Sequence, residues 1–484
     1  MESIVKGRNP ASVFWWFEAI SAIPRPSYKE EKIADFLVRF AQERNLSCYR
    51  DAQNNVLIKR PATKGLENIP PVLFQGHTDM VCEKNADVVH DFEKDPLKLR
   101  VEGKFLRATG TTLGADDGIA VAMMLALLDG EIPEHPAFEC LFTTAEEVGL
   151  DGAKTFDYSK IDARRMINLD SEELGVVTAG CAGGLRSDLI LTYRTEPFAG
   201  EALRLWVGGL MGGHSGENIK SGRANANKVM GRLLAALAEK TEIRLVALSG
   251  GSKDNAIPRE CEALLSVSDF EIADACVSSV AEEIAAELSE DDRGFTVKTE
   301  QVPAGDEMFC REDTRRAISV LTCAANGVFE MCKNVRGLVE FSRNLGVIRQ
   351  QEGKLNFIFS SRSSREGQID SSVRELNLLA EMTGCGAKHY ARYPGWEFAK
   401  HSELRETYLE AYRKATGREA KVNVIHAGLE CGVIHANVPD MDMISVGPTM
   451  YDIHSPAEAL DMDSVETFWA VLKKWIAEAC RSGA

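Results

Sequence analysis

The chain has 484 residues, 44% of them hydrophobic and 27% charged, which describes an ordinary globular protein and excludes a disordered or fibrous one. At roughly 150 residues per domain the length allows two or three domains, of which two are expected. A formal charge of −17 with no clustered Lys/Arg stripe excludes nucleic acid and anionic membrane surfaces as partners.

No apolar run approaches the roughly 20 residues of a membrane-spanning helix. The first ten residues lack the apolar core of a signal peptide, and the twelve cysteines contain no C-x-x-C pair, so a cytoplasmic protein with reduced thiols is expected. An amphipathic stretch over residues 11–45 is broken by Pro24 and Pro26, because proline lacks the amide donor and clashes with the preceding turn; two helices are expected there. Strands follow near residues 55–59 and 71–74, and the second opens into Gly76, His77, Thr78 and Asp79. A turn at residues 114–118 leads into a helix over 119–128, ended by Gly130 and Pro133, whose apolar faces make Met123 and Met124 core fillers.

A strand over 138–144 empties into Glu146 and Glu147, and another over 166–169 into Asp170. In open α/β sheets ligands bind at the carboxyl ends of the strands, so three strands deliver candidate ligands to one edge. Residues 180–184 are glycine-rich and read as a crossing point between domains. Two rounds of strand and helix follow: strand 203–207, helix 224–240 and strands 243–248 and 263–268, then strand 296–302, helix 315–332 and strands 339–347 and 355–360. The last segment resumes the first grammar, with helix 402–416, strand 422–425, a turn at Gly428, strand 441–446, a loop carrying His454 and a closing helix from Ser464.

Carboxylates and imidazoles together suit zinc, cobalt or manganese, and an Asp bridging two ions lets His77, Asp116, Glu147, Asp170 and His454 serve both, with Asp116 as the bridge. Two metals about 3.5–4 Å apart can hold a shared hydroxide and polarise a carbonyl. Glu146 is assigned as the general base that takes the proton from that water. Asp79, two residues beyond His77, is placed to accept from the ring nitrogen that faces away from the metal. Each feature alone has a plainer reading: a Glu-Glu pair is usually a solvated turn, Asp116-Asp117 can cap a helix, and His454 can be a loop histidine. Their joint order carries the inference.

Read in order, Gly76-His77-Thr78-Asp79-Met80, Gly114-Ala115-Asp116-Asp117-Gly118, Thr144-Ala145-Glu146-Glu147-Val148-Gly149, Asn168-Leu169-Asp170 and His454-Ser455-Pro456 resemble the co-catalytic di-zinc exopeptidases, which include carboxypeptidase G, aminoacylase, peptidase T and carnosinase. Further phrases, Pro24-Arg25-Pro26-Ser27, His90-Asp91-Phe92, Thr111-Thr112-Leu113-Gly114, Gly212-Gly213-His214-Ser215-Gly216 and His426-Ala427-Gly428-Leu429-Glu430, are most similar to the branch of that family acting on Xaa-His dipeptides. The resemblance implies an α/β fold: a catalytic domain with a central mixed sheet flanked by helices, residues 1–184 and 399–484, and an inserted α+β lid of two similar halves, 185–398. It implies two Zn2+ per chain, with Co2+ or Mn2+ as substitutes, His77 and Asp170 on one ion, Glu147 and His454 on the other, Asp116 between them, and a cis Asp116–Asp117 peptide. His214 is implied as a lid residue that stabilises the oxyanion.

For the substrate carboxylate Arg362 and the turn at Gly428 are nominated, with Arg365 as rival to Arg362, and Asn255 as a further contact. His426 and Glu430 are read as bordering the pocket or as core residues. The implied activity is hydrolysis of dipeptides, Xaa-His dipeptides such as carnosine among them, by a metal-bridged hydroxide. The alternatives are an N-acyl amino acid amidohydrolase or carboxypeptidase with the same metals, or a silent peptide-binding relative, against which the retention of all five ligands and Glu146 speaks. A homodimer is compatible with this reading, closed two-fold dimers being the commonest oligomers.

Overall fold

In the computed structural model, which describes residues 4–333 and 335–482, the chain forms two units: Met1–Cys181, Phe398–Val424 and Leu429–Ala484 make the first, Ala182–Glu397 and Ile425–Gly428 the second. The first unit is organised by strands buried on both faces. Every residue of Val72–His77 and of Phe138–Thr143 is buried, as a strand with helices on either side requires. The eight-stranded mixed sheet runs Ser47–Arg50, Val56–Arg60, Phe138–Thr143, Val72–His77, Arg165–Asn168, Asp442–Ser445, Val176–Cys181, Lys421–Ile425. Phe138–Thr143, Val72–His77, Arg165–Asn168 and Asp442–Ser445 are mutually parallel, so their carboxyl ends share one edge.

Proline does separate two helices, Ala11–Ser21 and Glu31–Glu43. The helix Ala115–Asp129 buries nearly every side chain, Met123 and Met124 included, because it is apolar all round. At about 1.5–3 kcal/mol for each large apolar side chain removed from water, this packing fixes the segment that carries Asp116.

The second unit is built on an antiparallel sheet in the order Thr296–Val302, Glu201–Gly208, Cys261–Val267, Ile243–Gly250, Val339–Gln351, Lys354–Ser363, Gly183–Thr192, Gly386–Tyr393. The four strands on either side of the junction at Gly250↔Ile348 follow mirrored orders, each from a β-α-β-β-α-β chain. Two sequence expectations are corrected here. Strand Thr296–Val302, expected to open the second round, closes the first by pairing with Glu201–Gly208, and the second round opens with Gly183–Thr192. The helix expected over 315–332 is Arg311–Cys323; Gly327–Met331 leaves it to pair with Val339–Gln351.

Candidate metal centre

The parallel strands end where the candidate ligands stand. His77 is the last residue of its strand and 1% exposed. Glu146 and Glu147 follow Phe138–Thr143 after Ala145, whose φ of 48° turns the chain sharply. Asp170 lies two residues beyond Arg165–Asn168. Asp116 opens the buried helix with non-helical angles (φ −79°, ψ 109°), and the Asp116–Asp117 peptide is cis, as the resemblance implies.

Asp116 offers one oxygen to each imidazole: Oδ1 lies 3.1 Å from His77 Nε2 and Oδ2 lies 3.1 Å from His454 Nε2. Asp170 Oδ1 stands 3.8 Å from His77 Nε2, and Glu147 Oε2 stands 3.1 Å from His454 Nε2. Two three-residue groups thus share Asp116: His77, Asp116, Asp170 and Asp116, Glu147, His454. Ligands 2.0–2.2 Å from a tetrahedral cation stand about 3.3–3.6 Å from one another. The observed separations, 3.1 to 3.8 Å, bracket that range, and the nitrogen–oxygen donor set suits divalent cations.

Charge points the same way. Five carboxylates, Asp79, Asp116, Glu146, Glu147 and Asp170, surround two imidazoles. Burial opposes a charge on the His77 ring, yet its carboxylate neighbours, Asp116 and Asp79 foremost, hold it well above the usual histidine range. Hydrogen bonds to Asp116 and Glu147 push His454 up to about 10. Burial lifts Glu146 above the usual carboxylate range, opposed by His77 and aided by Glu430, Glu147 and Asp116. A site this rich in buried anions holds positive charge tightly, whether protons or metal ions.

Asp79 does more than the sequence suggests. His77 Nδ1 lies 3.1 Å from its backbone oxygen and 3.4 Å from its carboxylate. The carboxylate also accepts from Ser27 Oγ (2.7 Å) and from the amides of Glu146 (3.1 Å) and Glu147 (3.3 Å), so one buried acid orients the ring and the Glu-Glu turn together. Burial alone would raise it, but these hydrogen bonds, with His77 foremost, hold it below the usual range.

Sequence reading missed two buried charges beside the Asp116 turn, Arg25 and Glu458, each 2% exposed. Arg25 enters the sequence reading within the phrase Pro24-Arg25-Pro26-Ser27, with no role of its own; the hint of Glu458 is its position four residues after His454. Glu430 is also fully buried, with Oε2 accepting from Gln75 Nε2 (2.6 Å) and Thr143 Oγ1 (2.7 Å). Burial pushes it up to about 7 from an ordinary 4.5, against His77 and those two hydrogen bonds. Asp79, Asp117, Glu146, Tyr158 and the Cys431 thiol are the other titratable groups that its charge meets.

The folded chain therefore keeps a proton on Glu430 that the unfolded chain releases, so this group lowers stability as pH rises from about 4.5 to about 7, with its full cost above that. In metal-stripped protein Glu430→Gln, whose amide oxygen can accept the same two hydrogen bonds, is expected to match the parent near pH 4.5 and to exceed its stability at pH 8 by ~2–3 kcal/mol. Urea unfolding at both pH values measures this; an equal difference at both excludes a buried acid.

The remaining predicted residues lie in the second unit, where they gather. His214 pairs across a short ladder with Ala256, and Asn255, itself exposed, accepts the Ser215 amide through its backbone oxygen (2.8 Å). Gly213 has φ 131°, and a Cβ there would stand 2.6 Å from Arg223 Nη1, so only glycine fits beside His214. Burial and the Arg362 charge hold the His214 ring below its ordinary value. Arg362 is 7% exposed and donates from Nη1 to Tyr393 OH (3.1 Å), and a Cβ on Gly428 would stand 2.8 Å from the Tyr393 ring. Among the described residues no carboxylate pairs with Arg362, and its buried Nε has no acceptor. Arg365 differs: it is bound by Glu397 at 2.5 Å, with Glu340 at 3.8 Å. His426 Nε2 is 2.7 Å from Ser342 Oγ, and burial with the nearby Arg362 charge lowers the ring to about 3.

The sequence matches Peptidase family M20/M25/M40 over residues 73–478. It is 37% identical over 474 residues, 97% of this chain and 98% of the relative, to the cytosol non-specific dipeptidase of Escherichia coli. The crystal structure of aminoacylhistidine dipeptidase from Vibrio alginolyticus superposes with a TM-score of 0.92 at 36% identity, over 98% of this chain and 97% of that one. The aminopeptidase PepT from Bacillus cereus, at 15% identity and a TM-score of 0.55 over 98% of this chain and 99% of that one, shares the fold. No described helix is long and apolar enough to cross a membrane.

Proposed function

The chain belongs to Peptidase family M20/M25/M40 and is a metallo-dipeptidase of that family, and from that premise we propose that it hydrolyses a broad range of dipeptides, Xaa-His dipeptides such as carnosine included, with two Zn2+ as cofactors. What carries the reading is Asp116, shared at 3.1 Å by two imidazoles that belong to separate ligand groups. His77 and Asp170 would hold one cation, Glu147 and His454 the other, and Asp116 both. When bound, such a pair polarises the scissile carbonyl and acidifies the attacking water.

Glu146, adjacent to a ligand but not among the five, takes the proton of the attacking water and returns it to the leaving amine. The second unit, the inserted lid of two similar halves in this reading, supplies the remaining substrate contacts. His214 donates to the developing oxyanion, and Arg362, with Gly428 and Asn255, receives the substrate's terminal carboxylate. Arg362 suits this role because it is a buried guanidinium with a free Nε and no protein carboxylate among the described residues. Charge-assisted hydrogen bonds to such a group are about twice as strong as neutral ones.

The test is a substrate panel on metal-reconstituted protein: carnosine, other Xaa-His dipeptides, unrelated dipeptides, tripeptides and N-acetylated amino acids. Dipeptides are expected to be turned over well ahead of the rest; faster cleavage of acetylated amino acids would make the chain an amidohydrolase instead. On the best dipeptide, Arg362→Met is expected to raise KM by about 10- to 100-fold, the equivalent of a charged hydrogen bond. An unchanged KM there removes Arg362 from the substrate site.

A further inference from the structure

We propose that Glu458 is a positioning residue that locks the Asp116 turn in its metal-binding shape and couples it to the loop of His454. This rests on the reading of Asp116 and His454 as metal ligands. The Glu458 carboxylate takes four consecutive main-chain amides: Oε2 accepts from Leu113 (2.7 Å) and Gly114 (2.9 Å), and Oε1 from Ala115 (2.8 Å) and Asp116 (3.3 Å). These amides begin the helix Ala115–Asp129, whose own N-cap, Gly114 at φ 64°, supplies no side-chain acceptor. An anion at that place satisfies donors the helix cannot satisfy itself and meets the positive end of its dipole.

The same turn is held from its carbonyl side. Arg25 donates from Nη2 to Gly114 O (2.5 Å) and from Nη1 to the backbone oxygens of Thr78 (2.9 Å) and Asp79 (3.1 Å). The Gly114 residue thus has its N–H on a buried carboxylate and its C=O on a buried guanidinium. That guanidinium also grips the segment just beyond His77. Glu458 follows His454 by four residues, its amide bonded to Ser455 O at 3.0 Å, so the carboxylate ties the His454 loop to a turn 342 residues away. The Asp116 carboxylate can face both imidazoles only while that turn keeps its shape. Outer partners that orient metal ligands commonly matter by about 10- to 100-fold in metal affinity.

The experiment compares Glu458→Gln and Glu458→Ala with Asp116→Ala and with Leu472→Ala, a fully buried core change on the C-terminal helix. Zn2+ affinity is measured by chelator competition, with Tm of the metal-free proteins, kcat and KM alongside. Glu458→Ala is expected to weaken Zn2+ binding by about 10- to 100-fold and Glu458→Gln by about 10-fold, since an amide keeps one of the two acceptors. The kcat should fall with KM nearly unchanged, whereas Leu472→Ala lowers Tm and keeps Zn2+ affinity. Parent-like affinity in Glu458→Gln overturns the proposal, with or without a folded Glu458→Ala. So does a loss in Leu472→Ala in proportion to its Tm, because the effect is then one of stability. If Asp116→Ala itself keeps both ions, the metal reading has failed; if it loses them while both Glu458 variants do not, only the positioning role has.

Discussion

Glu146→Gln is expected to keep two cations per chain and to lose kcat by about 10^2- to 10^4-fold, the usual contribution of a positioned proton-transfer group. The two neighbouring glutamates are set apart by the turn at Ala145. Glu147 reaches His454 Nε2 at 3.1 Å and completes the group that Asp116 shares, whereas Glu146 Oε2 stands 4.0 Å from His77 Nε2 and belongs to neither group that contains Asp116. Glu146 is nonetheless held in place, its amide donating to Asp79 Oδ1 at 3.1 Å, and its side chain is 17% exposed, so water can reach it. This placement supports the proposed role of Glu146 on the attacking water.

Metal content by mass spectrometry, beside kcat and KM for the best dipeptide, separates the possibilities. His77, Glu146 and Glu147 also form a ligand-like group, so loss of one cation in Glu146→Gln would move Glu146 into the metal shell. Full turnover would remove it from the mechanism. KM should change little, because the proton transfer is made in the transition state and not in substrate binding.

The candidate ligands at the strand ends are legible because each follows a feature with its own sequence signal. Val72–His77 and Phe138–Thr143 are buried on every residue and so read as unbroken apolar runs, and the residue type at the end of such a run stands out. His454 had no such strand before it and was legible only through the joint order and the resemblance. What stayed hidden depends on partners distant in sequence. Glu458 serves main-chain amides, which carry no side-chain signal, across 342 residues. Arg25 likewise serves carbonyls.

In the second unit the glycines at 180–184 read as a crossing point and concealed the start of the strand Gly183–Thr192. In the sequence the next free strand, Thr296–Val302, takes its place. Strand identity came through; pairing order did not, because neighbours in that sheet are joined by register with partners far along the chain.

Asp116→Ala is expected to lose both cations, where His454→Ala loses one. Each imidazole faces a different oxygen of Asp116 at 3.1 Å, so removing that carboxylate takes a ligand from both groups and leaves two protein ligands for each ion. Removing His454 leaves His77, Asp116 and Asp170 intact as a three-ligand site. Activity in Asp116→Ala should fall by more than about 10^3-fold, well beyond the ~10- to 100-fold typical of outer partners. Added Zn2+ should raise the Tm of the parent by mass action, raise that of His454→Ala less, and leave Asp116→Ala unmoved. One cation retained in Asp116→Ala would assign the residue to a single ion, and two would end its role as a bridge. Asp117 does not take over: its Oδ2 is engaged by the His77 amide at 3.1 Å, and it belongs to none of the ligand-like groups among the described residues.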